Sequence, residues 1–493
     1  MPPRARVFRT EHSPCVGIEP TVSAAVSPEF CNQEGVTGAT GVWLPPEGRA
    51  ALRAGVIGNW IDNVHVFLPL TALAPAIVVL GGPGAAQAGA LVVVAMLLGR
   101  PLGGVIFGRI ADRLGRTATT RIAIAGTAAC AAGIALMPTH LAIGAAALAG
   151  VLVLRFVGGV FVAGEYSAAI PLAMEWTPPR RRGLMSGVIL AMAPLAQATI
   201  AFATAASLAL LGREAYVAWG WRALFGVGVM FSLGMFAYYS RHVVDAPVFH
   251  RQRAAGEAAP AGIREVLFGS HAGAFWQVFT LMSGLWVLTA VTVLILPGRL
   301  SADAGFTATQ APFIMGVASL AQAVFMAGSG HASSLVGRRR LFVAWMAVAA
   351  IAGPALWFAI MSAASVAGAA ALAACLQVVT VSAYGPVSAY LSERFPTQVR
   401  SSGYGMGYSL SLIAPALFPF YLPALERALG RDGAPVALLL CGAGLVTLGA
   451  ALGPRLSPTD VDHDIDVVAG GLSDVVPAGN RTGEDTCVRE AAT

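Results

Sequence analysis

EWTPPRRRG, residues 175–183, returns later in the chain as ERFPTQVRS, residues 393–401. Both hold a glutamate, a proline three residues on and an arginine seven residues on, at an offset of 218 residues. A second pair lies upstream of each: GRIADRLGR at 108–116 and GHASSLVGR at 330–338, at an offset of 222 residues. Here Gly115 matches Gly337 and Arg116 matches Arg338, while Asp112 and Arg113 give way to Ser334 and Leu335. Two near-equal offsets in the same order indicate a duplicated unit.

Working outward from these loops, the chain is apolar on both sides. Of its 493 residues 56% are hydrophobic and only 11% charged, against about 25% charged in a soluble protein. Each crossing of a bilayer needs about 20 apolar residues. Twelve such runs start near residues 52, 88, 120, 143, 184, 220, 272, 312, 341, 364, 402 and 435. The longest polar interruption, 244–271, separates a six-span unit at 51–243 from another at 272–455. The expected fold is an all-α membrane protein of twelve transmembrane helices in two six-helix pseudo-repeats, the architecture of many secondary transporters.

Charge sets the expected orientation. Every Lys/Arg position is an arginine. Arginines gather after spans two, four, eight and ten and in the middle loop, so both termini are expected in the cytoplasm. The net charge of +6 follows from this bias, and no nucleic-acid partner is implied. The six cysteines form no CxxC pair, and no metal spacing, phosphate loop or catalytic triad is present. No cofactor and no enzymatic activity are therefore expected. Residues 1–50 hold no apolar signal-peptide core and read, like 456–493, as a polar disordered tail.

GRIADRLGR resembles the loop signature of the major facilitator superfamily. With its upstream residues, RPLGGVIFGRIADRLGR (100–116), it resembles the metabolite:proton symporter branch, whose members carry shikimate, 2-oxoglutarate, citrate, proline or betaine. GEYSAAIPLAMEWTPPRRRG (164–183), WGWRALF (219–225) and YGPVSAYLSERFPTQVRSSGYG (384–405) agree. The resemblance covers residues 55–450. It implies a bacterial inner-membrane carrier, a monomer in the lipid bilayer, working on a small-molecule substrate and protons. Proton-coupled symport of a small organic acid or zwitterion is the expected function; a proton-driven exporter of the same fold is the alternative. In the first span the branch pattern carries two acids, where this chain has Asp62 and His65. In the fourth span Gly158 stands where the branch usually has a glutamine three residues after Arg155, and Thr117 stands where a basic residue is usual.

Candidate site residues follow from single polar groups in apolar spans, which are costly and face a partner or a cavity. In GNWIDNVHVF (58–67), Asn59, Asp62, Asn63 and His65 share one arc of a helix with Gly58 and Pro69, and Val66 intrudes. Asp62, His65 and Glu165 are the proton-coupling candidates; the first stretch equally suits a helix start near the cytoplasm, or a pairing with an arginine. Arg100 and Arg155 are candidate docks for a substrate carboxylate, or Asp62 pairs with Arg100 permanently. Gln377, Thr380, Tyr384 and Ser388 form a helical stripe in span ten, suited to a cavity or to packing; Gln377 and Tyr384 join Asn59 and Asn63 as substrate candidates. Asp112, Arg113, Arg116, Glu175, Arg182, Glu393 and Arg400 are the gating candidates, with Glu175–Arg182 and Glu393–Arg400 as expected contacts, or are solvated loop residues that set topology.

Overall fold

The computed structural model describes residues 44–82, 89–254, 263–307, 309–455, 463 and 465–469. Residues 1–43, most of the predicted N-terminal tail, lie outside the described residues. All described residues belong to one compact unit. Among them the chain is helical, without strands.

Twelve helices carry the apolar runs. They are α1 (Pro46–Phe67), α2 (Gly89–Leu114), α3 (Arg116–Ala135), α4 (Ala146–Trp176), α5 (Arg182–Ala215) and α6 (Trp221–His242) in the first half. In the second half they are α7 (Ala272–Thr289), α8 (Gln310–Val336), α9 (Arg338–Met361), α10 (Val366–Val381), α11 (Arg400–Leu410) and α12 (Gly433–Leu452). Several run on past these bounds. α1 continues through a π turn at Leu68–Ala72, where Pro69 has no N–H to give, and bends by 41° before Ala74–Gly81. α11 is likewise extended by Phe418–Leu429 across a 49° bend.

Nine continuous helices among the described residues are long and apolar enough to cross a membrane. One of these, Pro179–His242, has 64 residues, about three times the length a bilayer requires. Gly212 breaks it with φ +75°, a conformation that suits glycine alone. Counted as two crossings, and with each bent pair counted as one, the helices are consistent with twelve spans. Large apolar side chains such as Met230, Val324 and Ile351 point outward, as a surface facing lipid requires.

Small residues set how closely the helices approach. Gly99 and Gly103 of α2 lie on the α4 backbone, and Gly159 of α4 lies on Met96, so none has room for a Cβ. Gly158 meets only an ordinary contact with Cys130. The two halves meet along two seams. In one, Gly104 and Gly108 of α2 face Gly405 and Ser402 of α11. In the other, Gly183 and Gly187 of α5 face Gly330, Met326 and Ala327 of α8.

The polar interruption after α6 contains two short helices, Pro247–Ala254 and Ile263–Phe268. Asp245, just before the first, accepts from the Thr117 amide (2.9 Å) and hydroxyl (3.0 Å) and so caps the start of α3. The sequence reading placed 456–493 in a loose tail. Within it Ile465–Ala469 is a short helix with Ile465 and Val468 buried.

Candidate functional site

A cavity of about 120 Å³ lies between the halves. α1 contributes Asn63, Val66 and Phe67, followed by Leu70 from the π turn. These fall at i, i+3, i+4 and i+7, one helical stripe. The stripe corrects the polar arc read from sequence. Val66 faces the cavity, whereas Asn59, Asp62 and His65 turn into the first half's own interior. The helix starts at Pro46, so Asp62 stands sixteen residues in, about 24 Å along the axis. It is no helix-start residue.

Arg100 of α2 walls the cavity. It packs against three rings, with its Cζ 4.7 Å from Tyr166, 5.3 Å from Trp286 and 5.6 Å from Tyr408. These contacts stabilise a desolvated guanidinium through the ring faces. Its Nε and Nη2, which share one edge of the guanidinium, have no hydrogen-bond partner among the described residues. That edge is the fork that binds a carboxylate in bidentate fashion. Asp62 makes no ion pair with it among the described residues.

Arg155 of α4 also lines the cavity but is largely engaged. It donates to the carbonyl oxygens of His65 (3.1 Å) and Val66 (3.4 Å) and to the Met96 sulfur (2.7 Å). These are the carbonyls freed where α1 passes into its π turn, so Arg155 stabilises the break in α1.

Behind Asn63 lies a second layer. The Asp62 and Glu165 carboxyls are buried neighbours, and the Thr127 hydroxyl donates to Glu165 (3.3 Å). Two adjacent buried carboxyls resist carrying two negative charges at once. Asn63 itself donates to the Asn59 carbonyl (2.7 Å) and to the Tyr166 hydroxyl (3.0 Å). His65 is not part of the pair; its Nε2 bonds Ser232 of α6 at 2.7 Å.

The second half supplies Trp286, Thr289, Gln322, Tyr384 and Tyr408 to the cavity. Tyr384 accepts a 3.2 Å bond from Thr289. Gln377 lies off the cavity and donates to the Thr292 carbonyl (3.4 Å). The expected stripe fails because α10 stops at Val381 and a 3₁₀ turn follows at Ser382–Tyr384. The change of pitch rotates Tyr384 away from Gln377. Asn59 is also off the cavity, donating to the Ile189 carbonyl of α5 (2.6 Å). Trp286, Tyr166, Tyr408 and Gln322 were not identified from sequence. A lone amide such as Gln322 in an apolar span was the available signal.

The second candidate region lies at the end of the molecule that carries the duplicated loops. Asp112 accepts from the backbone amides of Ser401 (3.0 Å) and Ser402 (2.9 Å) at the first turn of α11. A carboxylate there meets both free N–H groups and the positive end of the helix dipole. Glu175 Oε1 is shared by Arg116 (3.1 Å) and Arg400 (2.9 Å). Glu393 pairs instead with Arg338 (3.0 Å). The expected contacts Glu175–Arg182 and Glu393–Arg400 are therefore corrected. Arg400 opens α11, which packs on the end of α4, and so meets the acid of the other half. Arg182 donates to the His463 carbonyl (3.0 Å). Arg113 is exposed and stands outside this network. Asp466 accepts from Thr397 and from Arg400 (2.5 Å), which docks the Ile465–Ala469 helix on the same network.

Comparison with known proteins follows this geometry. The glycine betaine/proline/ectoine/pipecolic acid transporter of Dickeya dadantii (strain 3937) is 27% identical over 394 residues, 75% of this chain and 76% of its own length. The inner membrane metabolite transport protein YhjE of Escherichia coli (strain K12) is 26% identical, covering 81% of this chain and 93% of its own. Among solved structures, the proton:xylose symporter XylE superposes with a TM-score of 0.65 at 16% identity, over 82% of this chain and 94% of that one. The human organic anion transporter MFSD10 gives 0.62 at 14% identity, over 83% and 100%. At such identities the structures speak for the fold alone. The Major Facilitator Superfamily model matches residues 56–419, and the chain is a membrane transporter belonging to that superfamily.

Proposed function

We propose that this transporter is a proton-coupled symporter of a small carboxylate-bearing solute, working by alternating access between the halves at 51–243 and 272–455. The observation that carries the reading is the Arg100 fork, without a hydrogen-bond partner among the described residues, near the buried Asp62 and Glu165 carboxyls. The solute's carboxylate binds Arg100 in the cavity. The carboxyl pair, one residue behind the wall, takes up and releases a proton. Arg100 and Asp62 are close enough to interact electrostatically, so an anion on Arg100 alters the balance at Asp62 and couples the two events. Arg155 holds the break in α1 in place, and Tyr384 and Asn63 complete the solute's hydrogen bonding.

On this reading the arginine-rich end is cytoplasmic, with both termini on that side. The Asp112, Arg116, Glu175 and Arg400 contacts hold that end shut. They must part when the halves rock and the cavity opens the other way. Glu393 acts within its half, and Arg182 holds the C-terminal segment.

Uptake into proteoliposomes under an imposed pH gradient tests the proposal. Uptake of a radiolabelled carboxylate should collapse on adding a protonophore. Asp62→Asn should abolish accumulation and leave solute exchange. Uptake that ignores the protonophore, or an Asp62→Asn protein that accumulates normally, overturns the coupling.

A further inference from the structure

The named relatives include carriers of zwitterions such as betaine and proline. The charge around this cavity differs from what such a solute needs. Among the described lining residues are two arginines, Arg100 and Arg155, and no carboxylate. The nearest acids are Asp62 and Glu165. They are neighbouring buried carboxyls, and two such groups resist carrying two negative charges at once, so the pair supplies at most one. The buried group of four is thus left with an excess positive charge, and a desolvated excess charge is costly.

A second observation concerns the rings. A quaternary ammonium is bound by an aromatic cage. Here the ring faces of Tyr166, Trp286 and Tyr408 are already occupied by the guanidinium of Arg100. Most of the remaining wall is apolar, with Val66, Phe67, Met96, Leu97, Leu190 and Val293, and its polar groups besides Arg155, such as Asn63, Gln197, Gln322 and Tyr384, are neutral. The volume of about 120 Å³ is near the ~150 Å³ that accommodates benzene in an apolar cavity.

We propose that the cavity selects a monoanionic carboxylate with a compact ring or branched apolar body, and discriminates against betaine-type zwitterions. This rests on Arg100 as the carboxylate dock. One negative charge on the Arg100 fork neutralises the buried group. A zwitterion leaves the excess in place and points its cation at apolar wall and Arg155. A di- or tri-anion overshoots and buries unpaired carboxylates.

Thermal-shift and competition measurements on the purified full chain decide this, with benzoate, cyclohexanecarboxylate, benzamide, glycine betaine, proline and citrate as probes. The ring monocarboxylates should raise the melting temperature, and benzamide, betaine, proline and citrate should not at equal concentration. Arg100→Gln should weaken benzoate by roughly 30-fold or more. Gln197 of α5 lines the cavity, so Gln197→Glu places an acid on its wall and should reverse the preference, betaine gaining while benzoate loses. Because Gln197→Glu retains Arg100, the test stands even if Arg100→Gln fails to fold. Betaine, proline or citrate binding as tightly as benzoate overturns the selectivity. If Arg100→Gln then abolishes that binding, the dock itself survives. Carboxylate binding that ignores both substitutions overturns the dock as well.

Discussion

The two seams between the halves share close glycine packing on a duplicated scaffold but differ in charge. Along α2 and α11 ionic contacts are added to the glycine packing: Asp112 reaches the first amides of α11, and Glu175 is gripped by Arg116 of its own half and Arg400 of the other. Along α5 and α8 the seam is one of small residues: Gly183 and Gly187 against Gly330, Met326 and Ala327, with Ser186 donating to the Gly385 carbonyl at 2.6 Å. The repeat explains what the halves share. Arg116–Glu175 and Arg338–Glu393 occupy matching positions at 3.1 and 3.0 Å. It also shows where they diverge. Asp112 crosses between halves, while its counterpart Ser334 only receives a 3.1 Å bond from Arg338 within its own half. On the proposed alternating-access cycle, the bridge common to both repeats is scaffold and the crossing contacts are what has to break.

Breaking the ionic seam should have the largest effect. Glu175→Gln leaves two buried guanidiniums facing each other without their shared anion, at a cost of about 3–5 kcal/mol. That is enough to shift a two-state equilibrium by a factor of 100 or more. A cysteine at position 402 should become reactive to an impermeant maleimide applied from the arginine-rich side. Glu393→Gln sharpens the comparison. It breaks the matching bridge inside one half, and should lower the melting temperature while leaving that reactivity near wild type. Equal reactivity in the two variants would show that the shared bridge, too, governs closure.

The small-residue seam comes next. A Cβ at Gly187 would sit 2.6 Å from the Met326 carbonyl oxygen and 2.9 Å from the Ala327 Cα, both backbone atoms that cannot swing aside. Gly187→Leu therefore forces the seam apart, and overpacking of this kind costs about 1–3 kcal/mol. Uptake should fall by roughly tenfold, with maleimide reactivity rising at position 334 rather than 402. Unchanged uptake would mean that the cycle does not require this seam to close.

Much of this was legible in the sequence because it depends on spacing. Span positions, the duplicated loops and the buried polar residues all follow from the run lengths and lone charges of apolar helices. Arg100, Arg155, Asn63 and Tyr384 do meet at one cavity. What was not legible depends on departures from ideal helix. The π turn after Phe67 and the stripe that precedes it put Val66, not Asp62, on the cavity wall. The 3₁₀ turn at Ser382–Tyr384 separated Gln377 from Tyr384. Partner choice was hidden as well, since Glu175 and Arg400 lie 225 residues apart and no local pattern pairs them. The aromatic wall around Arg100 gathers Tyr166, Trp286 and Tyr408 from three helices, and only folding brings them together.

The smallest effect should come from the segment that the sequence reading set aside as tail. Asp466 adds a third anion contact to the ionic seam, but under other conditions. Its side chain is 28% exposed, whereas that of Glu175 is fully buried. Arg400 also keeps other partners when Asp466 is neutralised: Glu175, the Thr397 hydroxyl at 2.7 Å, and the carbonyls of Ser392 and Phe395. Asp466→Asn should therefore cost about 1 kcal/mol or less, and raise maleimide reactivity at position 402 by less than about fivefold. Salt separates the two contributions. A partly exposed pair is screened and a buried one is not. The difference between Asp466→Asn and wild type should vanish at about 0.5 M salt, whereas that of Glu175→Gln should persist. An Asp466→Asn effect as large as that of Glu175→Gln, and indifferent to salt, would transfer closure of this end from the α4–α11 clamp to the docked C-terminal helix.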